Sequence, residues 1–204
     1  MSAEELVALL TFATLMSFTP GPNTTMSTAL AANHGLRRTL HFIVAVPTGW
    51  TLMMLACGLG LGALVLAVPA LNFVVRTVGI GYLLWMAWRL AGARTLGQAD
   101  GSRLNVTFWQ GVGMQFVNIK AWMLALALAA GWVTSAAGHP SSNPLQRLAI
   151  VCGVMALFAL ASNLTYALVG SLLRQWLAAG ARLLWFNRAM ALLLVATAVW
   201  MAFA

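Results

Sequence analysis

An all-α, polytopic membrane fold is what this sequence predicts, and three observations predict it. First, 62% of the 204 residues are hydrophobic and only 7% are charged, against about 25% charge in an ordinary soluble domain. Second, apolar stretches long enough to cross a hydrocarbon core of about 30 Å recur along the whole chain. Third, the first stretch is interrupted by Ser17-Phe18-Thr19-Pro20-Gly21-Pro22-Asn23-Thr24-Thr25. Prolines and a glycine at mid-depth cannot sit in a continuous helix without freeing backbone groups, and hydrocarbon cannot satisfy them. The break therefore calls for a protein-lined or wet cavity, the usual setting of a transport site.

Six spans of about 20 residues or more follow from the hydropathy pattern. Span one runs from Leu6 to Ala31 and is broken at Pro20 to Asn23. Span two runs from Thr39 to Leu66, span three from Leu71 to Leu90 and span four from Trp109 to Val133. Span five runs from Leu148 to Leu168 and span six from Leu183 to Phe203. The connections are short: Asn33 to Arg38, a turn at Pro69, the longer polar stretch Gly92 to Val106 with Asp100-Gly101-Ser102 as a turn, Gly138 to Pro144, and Arg174 to Gly180.

The chain reads as one transmembrane domain, 1–204, in two halves of three spans, 1–95 and 105–204. Each half opens with a polar-marked span, Pro20 to Asn23 in the first and Gln115 to Lys120 in the second. An odd number of spans per half orients the halves oppositely, so a 3+3 inverted repeat is predicted. Gly58, Gly60 and Gly62, then Gly79 and Gly81, then Gly111 and Gly113 are candidates for close helix packing, which in lipid replaces much of the hydrophobic drive.

Charge placement predicts orientation. Arg37, Arg38, Arg89, Arg94, Arg103, Arg174, Arg182 and, just inside span six, Arg188 group with the loops after spans one, three and five, while the opposite side carries little beyond Arg76 and Arg147. Lys and Arg accumulate on the cytoplasmic side, so both termini are expected to face outward. Scattered in short loops, these residues make the net charge of +8 a membrane feature and not a nucleic-acid footprint. The acidic start Met1-Ser2-Ala3-Glu4-Glu5 lacks the positive n-region of a signal peptide, so the first segment is expected to be retained. Cys57 and Cys152 lie in apolar segments and read as packing residues. No metal-ligand spacing and no nucleophile–base–orienter set is visible, so no enzyme, metal or cofactor is predicted.

The candidate site residues cluster at the two polar-marked spans. Thr19-Pro20 reads as an N-cap followed by proline at the first helical position, with a half-helix from Gly21 to Ala31. Its unpaired first N–H groups and positive dipole end would form an anion cradle suited to a carboxylate. Pro22, Asn23, Thr24 and Thr25 complete that segment. In span four, Gln115 and Asn118 share a helical face, whereas Lys120 points away from Asn118 unless the helix unwinds. An intramembrane lysine must be paired, hydrated or snorkelling. Its roles stay open between carboxylate binding, proton coupling and a structural charge. His41, with an ordinary pKa near neutrality, is a second coupling candidate or an interfacial histidine. Pro47 and Gly49 are expected to distort span two. Ser162, Asn163, Thr165 and Tyr166 form a polar seam in span five that serves either substrate or interhelical hydrogen bonding.

Thr19-Pro20-Gly21-Pro22-Asn23 followed by His34-Gly35 resembles the opening signature of the LysE/RhtB family of amino-acid exporters. Gln115-Phe116-Val117-Asn118-Ile119-Lys120 stands where that family has an Asn-Pro-Lys-like motif. Gly79 to Trp88 resembles its third span and Leu183 to Leu194 its last, so the likeness covers nearly the whole chain. It implies six spans, a bacterial inner membrane, and export of small amino acids or derivatives by proton-driven antiport. It also implies that Pro20, Gly21, Pro22, Asn23, Asn118 and Lys120 matter most. Some members are oligomers, which leaves a homodimer open. Two departures stand out. Val44 to Gly49 lacks the aspartate many members carry, which argues against basic substrates. Ile119 replaces the motif proline, which predicts a milder break in span four. The Gln-Phe-Val-Asn-x-Lys form and His41 look closer to the cysteine and O-acetylserine exporters, a branch that implies a neutral substrate. On this reading Asn or Thr groups and Tyr166 would receive the substrate ammonium, and the partners are a small neutral amino acid, protons and membrane lipid. The alternatives are a passive amino-acid or metabolite channel and a lipid scramblase.

Overall fold

The computed structural model describes residues 1–58, 60, 67–93, 106–136 and 139–203. Nearly all of these are helical. The helices are α1 (Ala3–Phe18), α2 (Pro22–His34), α3 (Leu36–Gly58), α4 (Pro69–Ala91), α5 (Phe108–Phe116), α6 (Ile119–Leu128), α7 (Pro144–Leu177) and α8 (Arg182–Phe203). A π-helical turn, Ala129–Val133, extends α6. The short strands Ser135–Ala136 and His139–Pro140 pair antiparallel before α7. The predicted turn at Asp100-Gly101-Ser102, Arg94, Arg103, Gly62, Gly138, the end of span two at Leu66 and the boundaries at 95 and 105 lie outside the described residues.

Local chemistry accounts for the helix ends. Ser2 caps α1: its hydroxyl accepts from the Glu5 N–H at 3.2 Å while the Glu5 carboxylate accepts from the Ser2 N–H at 2.8 Å, a capping box. Thr107 and Gln110 repeat this motif at α5. Arg76 Nε donates to the Met201 carbonyl at 2.6 Å, placing a cation at the C-terminal end of α8.

One expectation is met in part here and another is corrected. Four helices are individually long and apolar enough to cross a membrane, α3, α4, α7 and α8, or five when the bent pair Phe108–Phe116 and Ile119–Val133 counts as one. The first apolar segment does not pass that test, because it is divided into helices of 16 and 13 residues, the second of them polar. The break in the fourth segment is not mild: its two helices meet at 67°. At this bend Gly79 of α4 sits directly against the Val117 carbonyl, where any side chain would collide. Pro47, by contrast, does not interrupt α3, which runs through it.

α2 is the centre of the bundle. Thr24 to Asn33 are all buried, with α3, α7 and α8 packed around them. The small residues of the helix allow this, and Gly170 of α7 lies against the Thr28 carbonyl with no room for a Cβ. Two large apolar clusters flank the helix breaks. One gathers Leu9, Met53, Met54, Leu128 and Val151, the other Met26, Phe42, Leu90, Leu194 and Met201. Cys57 and Cys152 are free thiols buried in the first cluster. Outward, Phe73, Leu157, Leu172 and Leu192 are exposed, an apolar perimeter that only lipid or another apolar surface can cover.

Candidate functional site

The break between α1 and α2 is set by two X-Pro pairs. The residue before a proline is driven out of the helical region. Thr19 and Gly21 are accordingly extended, at φ −67°, ψ 128° and φ −165°, ψ −174°. This moves the half-helix start two residues beyond the predicted one. Gly21, not Thr19, is the N-cap, and Pro22, not Pro20, is the first helical residue. Thr19 instead closes α1, its hydroxyl donating to the Leu15 carbonyl. The first backbone closure of α2 runs from the Thr25 N–H to the Gly21 carbonyl at 2.9 Å, leaving the N–H groups of Asn23 and Thr24 as first-turn donors.

The second break lies at Val117–Asn118. Asn118 is extended, at φ −93°, ψ 99°, and begins α6. This unwinding brings Asn118 and Lys120 to one surface, which a regular helix would forbid.

The two breaks face each other across a cavity offering about 100 Å³ of space that a water-sized group can reach. Thr19, Gly21, Pro22, Asn23 and Thr24 line it from the first break, and Gln115, Asn118, Lys120 and Ala121 from the second. α3 contributes Val46 and Trp50, and α7 contributes Met155, Ser162 and Asn163. Pro20 lies on the far side of the break. There a second hollow of about 340 Å³ is formed with Pro22, Thr25, Lys120 and the α8 residues Leu193, Thr197 and Trp200. Lys120 borders both hollows, and among the described residues it has no hydrogen-bond or ion-pair partner.

Most polar groups of the cavity wall are already satisfied. Asn23 and Gln115 exchange hydrogen bonds through their side-chain amides. Thr24 Oγ1 accepts from the Gly21 N–H at 2.9 Å. Ser27 donates to Asn163 at 2.8 Å. The helix C-terminal ends are covered as well. Ser162 Oγ donates to the Ser17 carbonyl at 2.6 Å, Tyr166 to the Phe18 carbonyl at 2.9 Å, and Trp122 Nε1 to the Phe116 carbonyl at 2.8 Å. Two buried groups of the wall have no partner: Trp50 Nε1 and Asn118 Oδ1.

Two predicted site residues stand apart. Tyr166 is outside the cavity, holding the end of α1. His41 is exposed, with Nε2 at 2.5 Å from the Val106 carbonyl. Thr165 is exposed and bonds its own helix at Ala161, so the polar seam of α7 divides, and only Ser162 and Asn163 face the cavity. Trp50 is the lining residue that motif reading passed over. Its signal was position, because Trp favours the membrane interfaces and this one falls mid-span.

A many-helix membrane protein whose broken helices converge on a small internal cavity, with a lysine and helix N-termini but no acid in its wall, has the form of a small-molecule carrier. The family model "LysE type translocator" matches residues 14–204, and the chain belongs to that family, the LysE/RhtB translocators. It is similar to the cysteine/O-acetylserine efflux proteins of Klebsiella pneumoniae subsp. pneumoniae (30% identical over 191 residues, 93% of this chain and 94% of that one) and of Salmonella choleraesuis (29% over 194 residues, 95% of each). A third relative with that name, from Escherichia coli K12, is 28% identical over 200 residues, 98% of each chain. No solved structure matches. Among the described residues no group of three His, Cys, Asp or Glu side chains could hold a metal ion.

Proposed function

We propose that this protein is a secondary-active exporter of small neutral amino acids or their derivatives, working by proton-coupled antiport in the bacterial inner membrane. The observation that carries the reading is the charge of the cavity: the α2 N-terminus and Lys120 supply positive potential, and no lining residue is acidic. A substrate carboxylate complements that field. A basic amino acid would bring a second cation with no counter-charge. The names of the relatives, cysteine and O-acetylserine efflux proteins, agree with a neutral substrate. The binding residues are Thr19 to Thr24, Gln115, Asn118 and Lys120. Of the two coupling candidates, Lys120 borders the cavity and His41 does not, so Lys120 is the one assigned the coupling role.

Counting α1 with α2, and α5 with α6, makes six spans and divides the chain into halves of three, 1–95 and 105–204. Contacts between helices support a 3+3 inverted repeat. If α1 to α4 correspond in order to α5 to α8, the contacts α3–α7 and α4–α8 map onto themselves. Likewise α2–α7 maps onto α6–α3, α1–α7 onto α5–α3 and α2–α8 onto α6–α4, and all of these are present. The chain ends of six alternating spans put Arg37, Arg38, Arg89, Arg174 and Arg182 on one face, the cytoplasmic one, and both termini outside.

Proteoliposome efflux of labelled L-cysteine, with and without an imposed pH gradient, tests the reading. Saturable, gradient-accelerated movement that collapses in Lys120→Ala is expected. Gradient-indifferent, non-saturating flux would make the protein a channel, and absence of amino-acid flux would overturn the substrate class.

A further inference from the structure

We propose that Trp50 and Asn118 are a donor–acceptor pair that orients the substrate. The indole N–H donates to the substrate carboxylate, and Asn118 Oδ1 accepts from the α-ammonium. The inference rests on the exporter reading above and deepens it.

Trp50 and Asn118 are 6% and 9% exposed and line the same cavity, yet Trp50 Nε1 and Asn118 Oδ1 have no hydrogen-bond partner. Of the neighbouring polar side chains of that wall, Thr19, Asn23, Thr24, Gln115, Ser162 and Asn163 are engaged. An unpaired buried polar group is costly, and burial inside a membrane leaves few substitutes. Indole nitrogen can only donate and an amide oxygen can only accept. The pair therefore selects a ligand with an acceptor at one end and a donor at the other, on a small body. A zwitterionic α-amino acid has that form. Its carboxylate then takes both the Trp50 N–H and the first-turn N–H groups of α2, while its ammonium turns toward α6. Asn23 and Gln115, engaged with each other, line the same cavity.

The test compares L-cysteine with cysteamine, which is the same molecule without its carboxylate, on reconstituted full-length protein. Trp50→Phe removes the N–H and keeps an aromatic ring. The expected result is a rise of roughly tenfold or more in KM for L-cysteine, with maximal velocity changed little and inhibition by cysteamine unaltered. A variant carrying 3-benzothienylalanine at position 50, in which sulfur replaces the N–H on an unchanged bicyclic ring, gives the same shift if Trp50→Phe fails to fold. An unchanged KM for L-cysteine overturns the proposal. So does an equal loss for L-cysteine and cysteamine, which would mark Trp50 as packing only. Saturable wild-type transport alongside either result sinks this inference and spares the exporter reading. Absence of wild-type amino-acid transport sinks both.

Discussion

Asn23 at the start of α2 and Gln115 near the end of α5 exchange hydrogen bonds in both directions, at 2.9 and 3.1 Å, across 92 positions of chain. The amide pair ties the two helix breaks together. Gln115 is anchored in turn to the Gly111 carbonyl at 3.2 Å. Replacing either partner with alanine removes the other's amide partner, leaving Gln115 with only its bond to Gly111 and Asn23 half-buried without one, a loss of about 1 kcal/mol. Asn23→Ala and Gln115→Ala should each lower the melting temperature in detergent, and the double variant should lose less than their sum. Strict additivity would show that the two amides do not act as a unit.

The unwound segment of span four is held from outside by Gly79. Gly79→Val would drive a side chain into the Val117 carbonyl, and overpacking of this kind costs about 1–3 kcal/mol. Transport should fall sharply. Gly81 has open space around its Cβ position, so Gly81→Ala should stay within about 0.5 kcal/mol of wild type. Equal effects of the two substitutions, measured by flux and melting, would remove Gly79 from this role.

At the N-terminal end of the bundle, Arg147 pairs with Glu5 at 2.6 Å and also donates to the Trp132 carbonyl at 2.6 Å. The Trp132 indole in turn donates to the Glu5 carbonyl at 3.1 Å. Both charged side chains are largely buried. Breaking such a pair from one side costs about 3–5 kcal/mol, so Glu5→Gln or Arg147→Met should lower the melting temperature clearly, with little relief from added salt. A melting temperature within a degree or two of wild type, about what a few tenths of a kcal/mol would produce, would contradict the pairing.

His34 closes α2, in the short connection after the first apolar segment. Burial first, then the nearby charges of Arg38, Arg174 and His41, hold its pKa below the usual histidine value. The unfolded chain therefore binds this proton more readily than the folded one. Stability is fully present above the unfolded pKa of about 6.5 and declines as the pH falls from there toward the lowered folded value. His34→Gln should flatten the melting temperature between about pH 7 and 5 relative to wild type. Identical pH profiles for the two proteins would exclude His34 as the source.

Hydropathy placed the long helices well because lipid imposes a length. Span six, read as Leu183 to Phe203, is α8 at Arg182–Phe203, and span three differs from α4 by a few residues. α7 runs well past the predicted Leu148 to Leu168, since its ends leave the apolar window but keep their hydrogen-bond ladder. The breaks were legible from Pro20, Pro22 and Asn118, but their geometry was not. Thr19 loses the N-cap because Gly21 precedes a second proline. Ile119 could not signal a 67° bend whose Val117 carbonyl packs against a glycine of another helix. Tyr166 and Trp50 exchanged the roles that composition would assign them. A tyrosine in a polar seam served a helix end, and an aromatic in an apolar run served the cavity, because both depend on which face α7 and α3 turn inward.

Each helix break exposes two opposite poles, and the protein hides only one of them. Ser162 and Tyr166 cover the carbonyl end of α1 and Trp122 covers that of α5, while the amide ends of α2 and α6 stay turned to the cavity beside Lys120. The site is thereby one-signed. Sodium and potassium meet amide hydrogens and a lysine there, and among the described lining residues no carboxylate replaces their hydration, so the exporter proposed above would move its substrate without leaking these cations down the membrane potential.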